Sequence, residues 1–173
     1  PLPLHEVRRV IREDFGREPE ELFASFNPEP EASASIAQVH RATLRESARP
    51  VWGEPLSRGS TVAVKVVRPG IEEDVAADLA AARLAAHFGR FTSVRRWKVD
   101  ALVEELAASL HRELGLRNEA RVSDRFAFDF RDDLQVLIPR VVWGLTTRRV
   151  LTMEFVEGWR LTALDDAVRR GGD

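Results

Sequence analysis

Lys65 is the residue of this chain whose surroundings ask most for a chemical role. It lies in Thr61-Val62-Ala63-Val64-Lys65-Val66-Val67, a β-branched run that reads as a strand. Strand side chains alternate, so Val62, Val64 and Val66 share one face while Ala63, Lys65 and Val67 share the other. A lysine in the middle of a buried valine strand is costly unless a negative partner waits for it. Ala63, two residues earlier, leaves room beside the ammonium for something flat. A cation next to a flat slot can hold the phosphates of a nucleotide. Val62-Ala63-Val64-Lys65 alone also fits a strand-end lysine that carries its charge out to solvent.

The preceding segment bears on that choice. Ala32-Ser33-Ala34-Ser35-Ile36-Ala37-Gln38-Val39 has the spacing of the protein-kinase phosphate loop, G-x-G-x-x-G-x-V, with alanine at each glycine position. Small residues let backbone N–H groups approach phosphates, and Val39 would cap an adenine ring. Alanine does not reach positive φ cheaply, so this loop is expected to be stiffer than a glycine loop and differently shaped.

A strand lysine also needs its carboxylate. In a helix over about 100–126, Leu102, Leu106, Leu110, Glu113, Leu116 and Ala120 stay within one apolar face. Glu113 sits in the centre of that stripe and Glu119 nearer its edge; either could pair with Lys65. The last strand alternates Leu151, Met153 and Phe155 against Val150, Thr152 and Glu154, and Val156-Glu157-Gly158 follows. The backbone of Glu154, Phe155 and Val156 reads as an inter-lobe linker for the adenine edge, with Met153 gating the space behind it.

Elements that position these residues can be read from period and punctuation. A helix covers about His5–Phe15 and stops at Gly16, and a shorter one follows with Pro19 in its first turn. Asn27-Pro28-Glu29-Pro30 breaks helical continuity. Strands are expected near 33–44 and 61–67, with the polar insert 45–60 as an exposed loop between them. A helix opening on Glu72-Glu73-Asp74 runs to Gly89, and the long helix follows from Asp100. A hairpin pairs 136–143 with 149–156 around Gly144–Thr147, and a final helix starts near Leu161. The class is α+β with an antiparallel sheet.

Composition excludes several functions. The 26 basic and 28 acidic side chains leave a formal charge of −2, without the basic excess of a nucleic-acid binder. Arg95-Arg96 and Arg148-Arg149 read as solvated surface. The chain has no cysteine, which removes disulfides and thiolate chemistry. His5, His40, His87 and His111 show no ligand spacing, so no metal site is expected from them. No apolar run approaches the roughly 20 residues that span a bilayer, and no signal-like region opens the chain.

Four motifs in order, Pro30–Ala42 (PEASASIAQVHRA), Val62–Ile71 (VAVKVVRPGI), Glu113–Ala120 (ELGLRNEA) and Val150–Gly158 (VLTMEFVEG), resemble the UbiB family of atypical kinases, also called ABC1 or ADCK, over about residues 5–170. The resemblance implies a kinase-like N-lobe with ATPase chemistry and a link to ubiquinone or another isoprenoid quinone. It implies a division into a helical extension at 1–30, the N-lobe at 31–158 and the start of a C-lobe at 159–173. It makes Lys65 the nucleotide lysine, Glu119 its partner and Glu113 the first residue of the family's E-x-D motif. The nucleotide would meet Ala32, Ser33, Ala34, Ser35, Ala37, Val39, Ala63 and Met153–Val156.

Departures from the family pattern are Gly115 at the E-x-D aspartate, Ser33 at a loop alanine and Glu31 where the family has isoleucine. The catalytic Asp and Asn and the metal-binding Asp belong downstream of residue 173. Mg2+ is therefore expected only with that C-lobe, and the isolated chain should bind ATP or ADP weakly and turn nothing over. A cytoplasmic location is expected, by resemblance one that can be peripheral at a membrane, with quinone-biosynthesis proteins and membrane lipids as partners. The alternative reading is a nucleotide-responsive pseudokinase scaffold that binds a partner protein or lipid.

Overall fold

The computed structural model describes residues 2–34, 36–70, 80–81 and 115–158. Within them the order is α1 (Leu4–Phe15), α2 (Pro19–Leu22), β1 (Phe23–Ser33), β2 (Ala37–Leu44), β3 (Thr61–Val67), α3 (Leu116–Asp129), a 3₁₀ turn (Trp143–Leu145) and β4 (Val150–Glu154). The four strands form one sheet in the order β1-β2-β3-β4, antiparallel throughout. This is the expected α+β class.

Alternation along β3 sorts the sheet into two faces. Val62, Val64 and Val66 are fully buried and pack with Val7, Val10 and Ile11 of α1 and with Leu22, Leu44 and Val150. Each such aliphatic side chain contributes roughly 1.5–3 kcal/mol when removed from water, so α1 is an integral layer of this core. Gly16 stops α1 in the left-handed conformation (φ 67°) and donates its N–H to the Arg12 carbonyl at 2.8 Å, a position where glycine pays no Cβ penalty. On the opposite face, Val67 and Leu151 pack against Leu116 and Ala120 of α3. The sheet therefore lies between α1 and α3.

Several expectations change. Residues 23–30, read above as the end of a helical extension, belong to β1. Two prolines fit there because β1 is an edge strand whose pairing with β2 shifts register three times. The strand expected near 33–44 is β2 from Ala37 on; Ser33 is the last residue of β1, and a turn separates the two. The long helix does not run unbroken to 126: Gly115 is extended (φ −89°, ψ 107°) and caps α3, which begins at Leu116. The hairpin partner of β4 shrinks to a single bridge, Val141 to Met153. Pro139 lacks the donor a ladder needs, and Trp143–Leu145 coils into a 3₁₀ turn.

Arg149 is not solvated surface. Its guanidinium donates to Asp14 from Nε at 2.9 Å and to Glu13 from another nitrogen at 2.8 Å, tying β4 to the end of α1. The neighbouring carbonyls hold two more elements: Arg148 accepts the Leu116 N–H at 2.8 Å, and Arg149 accepts the Val67 N–H at 2.9 Å. The helices at 72–89 and beyond 161, and the part of the long helix before 115, lie outside the described residues.

Candidate nucleotide site

Register fixes which side chains share the Lys65 face. Lys65 lies opposite Val39 on β2 and Leu151 on β4, while Ala63 lies opposite Arg41 and Met153. Directly paired residues point the same way, so Val39, Ala63, Lys65 and Met153 line one face. α3 packs on the same face and brings its carboxylate with it. Lys65 Nζ donates to both Glu119 oxygens at 2.8 Å, with the lysine side chain 27% and the glutamate 46% exposed. A pair this open is reachable by a ligand, and a bidentate carboxylate holds the ammonium at a set place above the sheet.

Glu119 sits in the first turn of α3, where the helix dipole favours a negative charge. Burial of Leu116 and Ala120 fixes the rotation of the helix that presents it. Position is therefore set by apolar contacts, and the charge pair is left near the surface. Glu113, the other carboxylate considered, lies outside the described residues.

The small-residue loop follows the end of β1. Ala32 pairs with Val39 and Ser33 with Gln38, and the Ala34 N–H donates to the Ala37 carbonyl at 2.8 Å to close the turn. Among the described residues every positive φ belongs to a glycine, so Ala34 and Ala37 take ordinary backbone angles. Ser35 lies outside the described residues.

At the far end of the face, Phe155 donates its N–H to the Thr61 carbonyl at 3.1 Å. Val156 is exposed, and Met153 packs at the edge of the second apolar cluster. Glu154 points the other way. Its carboxylate accepts from Arg140 Nε at 2.7 Å, and that hydrogen bond holds its pKa below the ordinary carboxylate value. Only its backbone could face a ligand, and its N–H already donates to the Arg140 carbonyl at 2.8 Å.

Arg41 was missed in the sequence. Its guanidinium carbon lies 4.1 Å from the centre of the Phe155 ring, and its Nε is 2.7 Å from Glu31. The signal was available, because strand alternation from Val39 puts Arg41 on the same face. Glu31 is placed by the register shift between Pro30 and Ala32, which gives the departure at that position a partner. Among the described residues no group of three His, Asp or Glu side chains could hold a metal ion. None of the described helices is long and apolar enough to cross a membrane.

The strand lysine, its helix carboxylate and the small-residue turn all lie within residues 1–172, the stretch matched by the family model of the ABC1 atypical kinase-like domain. The chain belongs to this family. It is 39% identical to Rv0647c of Mycobacterium tuberculosis over 99% of this chain and 33% of that protein. It is 34% identical to a probable protein kinase UbiB of Marinobacter nauticus, over 91% of this chain and 27% of that one. Among solved structures, Rv3197 of Mycobacterium tuberculosis in complex with erythromycin superposes with a TM-score of 0.75 at 32% identity, covering 100% of this chain and 39% of that one. The kinase-like fold is shared. This ABC1-family chain spans no more than about a third of the curated relatives it matches.

Proposed function

We infer that this chain forms the nucleotide-binding lobe of an ABC1-family atypical kinase or ATPase. The observation that carries the reading is the bidentate Lys65–Glu119 pair, held open on a sheet face beside Ala63 and Val39. The residues fit ATP in both chemistry and order. Lys65, steadied by Glu119, would meet the α- and β-phosphates; the turn at Ser33–Ala37 would cover them; Val39 and Ala63 would form the apolar wall for adenine; and the backbone from Met153 to Val156 would meet the base edge. A Mg2+ ion would be held by carboxylates that the described residues of this chain do not bring together, and with it the bound triphosphate would be activated for phosphoryl transfer.

The resemblance to the UbiB family, whose name the Marinobacter relative carries, supports a place for the parent protein in isoprenoid-quinone biosynthesis. The experiment is labelling of the full-length protein with an acyl-phosphate derivative of ATP, followed by peptide mapping. Modification at Lys65 that excess ATP suppresses is the expected result. Labelling spread over surface lysines and insensitive to ATP would overturn the reading.

A further inference from the structure

The turn at Ser33–Ala37 must hold its shape without glycine. A phosphate loop works by presenting backbone groups at fixed positions, and glycine loops reach those positions through left-handed angles. Among the described residues this chain uses such angles only at Gly16, Gly53, Gly59 and Gly70, none of which is in the turn. Among the described residues one bond, from the Ala34 N–H to the Ala37 carbonyl, closes the turn from within. The carbonyls of Ala34 and Ile36 and the hydroxyl of Ser33 need partners from elsewhere.

Arg68 supplies all three. Its backbone N–H donates to the Ile36 carbonyl at 2.9 Å. Its Nε donates to the Ala34 carbonyl at 3.1 Å, and a terminal nitrogen donates to Ser33 Oγ at 2.9 Å. The placement follows from local chemistry. Pro69 keeps the residue before it out of the helical region, so Arg68 prolongs β3 instead of turning away. Ala37 lies opposite Val67, and the residue after β3 therefore runs alongside Ile36. The planar guanidinium then offers two N–H groups in a fixed fork, matched to two acceptors one residue apart.

We propose that Arg68 is a positioning residue of the nucleotide site, a staple that holds the alanine-rich turn in its phosphate-ready shape. β3 thus carries the lysine for the phosphates and, just past its end, the chain places the arginine that fixes the loop above them. This rests on the nucleotide reading of Lys65. Its signature is selectivity for the phosphate end: losing the staple weakens ATP and ADP binding by about tenfold, the usual scale for lost charge-assisted hydrogen bonds, and leaves the adenosine contacts intact.

The test uses the full-length protein with Arg68→Lys, which keeps the charge but not the fork, and Ser33→Ala, which removes one acceptor at an exposed position. Amide hydrogen exchange at Ala34 is measured without nucleotide, and dissociation constants are measured for ATP and for adenosine. Faster exchange at Ala34 in Arg68→Lys, with weakened ATP and unchanged adenosine, is expected; Ser33→Ala should show a smaller change in the same direction. Unchanged exchange in both variants, or equal losses of ATP and adenosine, would overturn the staple. Absence of ATP binding by the wild type would instead overturn the nucleotide reading, and exchange at Ala34 would still decide whether Arg68 holds the turn.

Discussion

Replacing Glu119 by Gln separates a functional ion pair from a structural one. The change keeps the shape of the side chain and removes its charge, leaving Lys65 without its bidentate partner at 2.8 Å. With the two side chains 27% and 46% exposed, water screens the interaction strongly. Pairs of this exposure contribute on the order of 0.2–1 kcal/mol, and good geometry places this one near the upper end. A double-mutant cycle with Lys65→Met, followed by urea unfolding of the full-length protein, should give a coupling of about 1 kcal/mol or less. ATP affinity should fall at least tenfold in either single variant, because the ammonium is no longer held where the phosphates bind. A coupling near 3 kcal/mol with unchanged ATP affinity would mean that the pair exists to hold α3 on the sheet, and the reasoning would fail.

Three further outcomes follow from the geometry. His40 is fully buried, its ring hydrogen-bonded to the Asn27 carbonyl and to Gln38, and burial depresses its pKa below 6.5. The unfolded chain then binds the proton first as pH falls, so wild-type stability should drop below about pH 6.5 by up to about 1.4 kcal/mol per pH unit and level off below the folded-state pKa; His40→Gln should lack that component of the slope. Arg149→Ala strips Asp14 of a charged partner in a side chain only 12% exposed, and thermal unfolding should register a loss of about 2 kcal/mol. Gly115→Asp adds a capping carboxylate at an N-cap already in the extended region, so denaturant unfolding should show a gain of a few tenths of a kcal/mol.

The Lys65 face was legible because strand alternation is a strict period of two. Val62, Val64 and Val66 went to one side and Lys65 to the other from spacing alone. Glu119 could be named a candidate for the same reason, at helical period, but choosing between it and Glu113 needed the family pattern. β1 was not legible. Its Asn27–Pro30 stretch carries the residues that break regular structure, and only an irregular edge pairing makes room for them. The break at Gly115 was hidden inside an apolar stripe that continues on either side of it. Arg149 and Arg68 were out of reach for another reason. Their partners Asp14 and Ser33 lie 135 and 35 residues away along the chain, and no local pattern encodes such a bond.

The central claim is that Lys65 on this face binds the phosphates of ATP. Calorimetric titration of the full-length protein with ATP, wild type against Lys65→Ala, tests it most directly. Saturable binding by the wild type, weakened at least tenfold in the variant while its unfolding midpoint stays close to wild type, is the predicted result. Equal ATP affinity in the two proteins would contradict it.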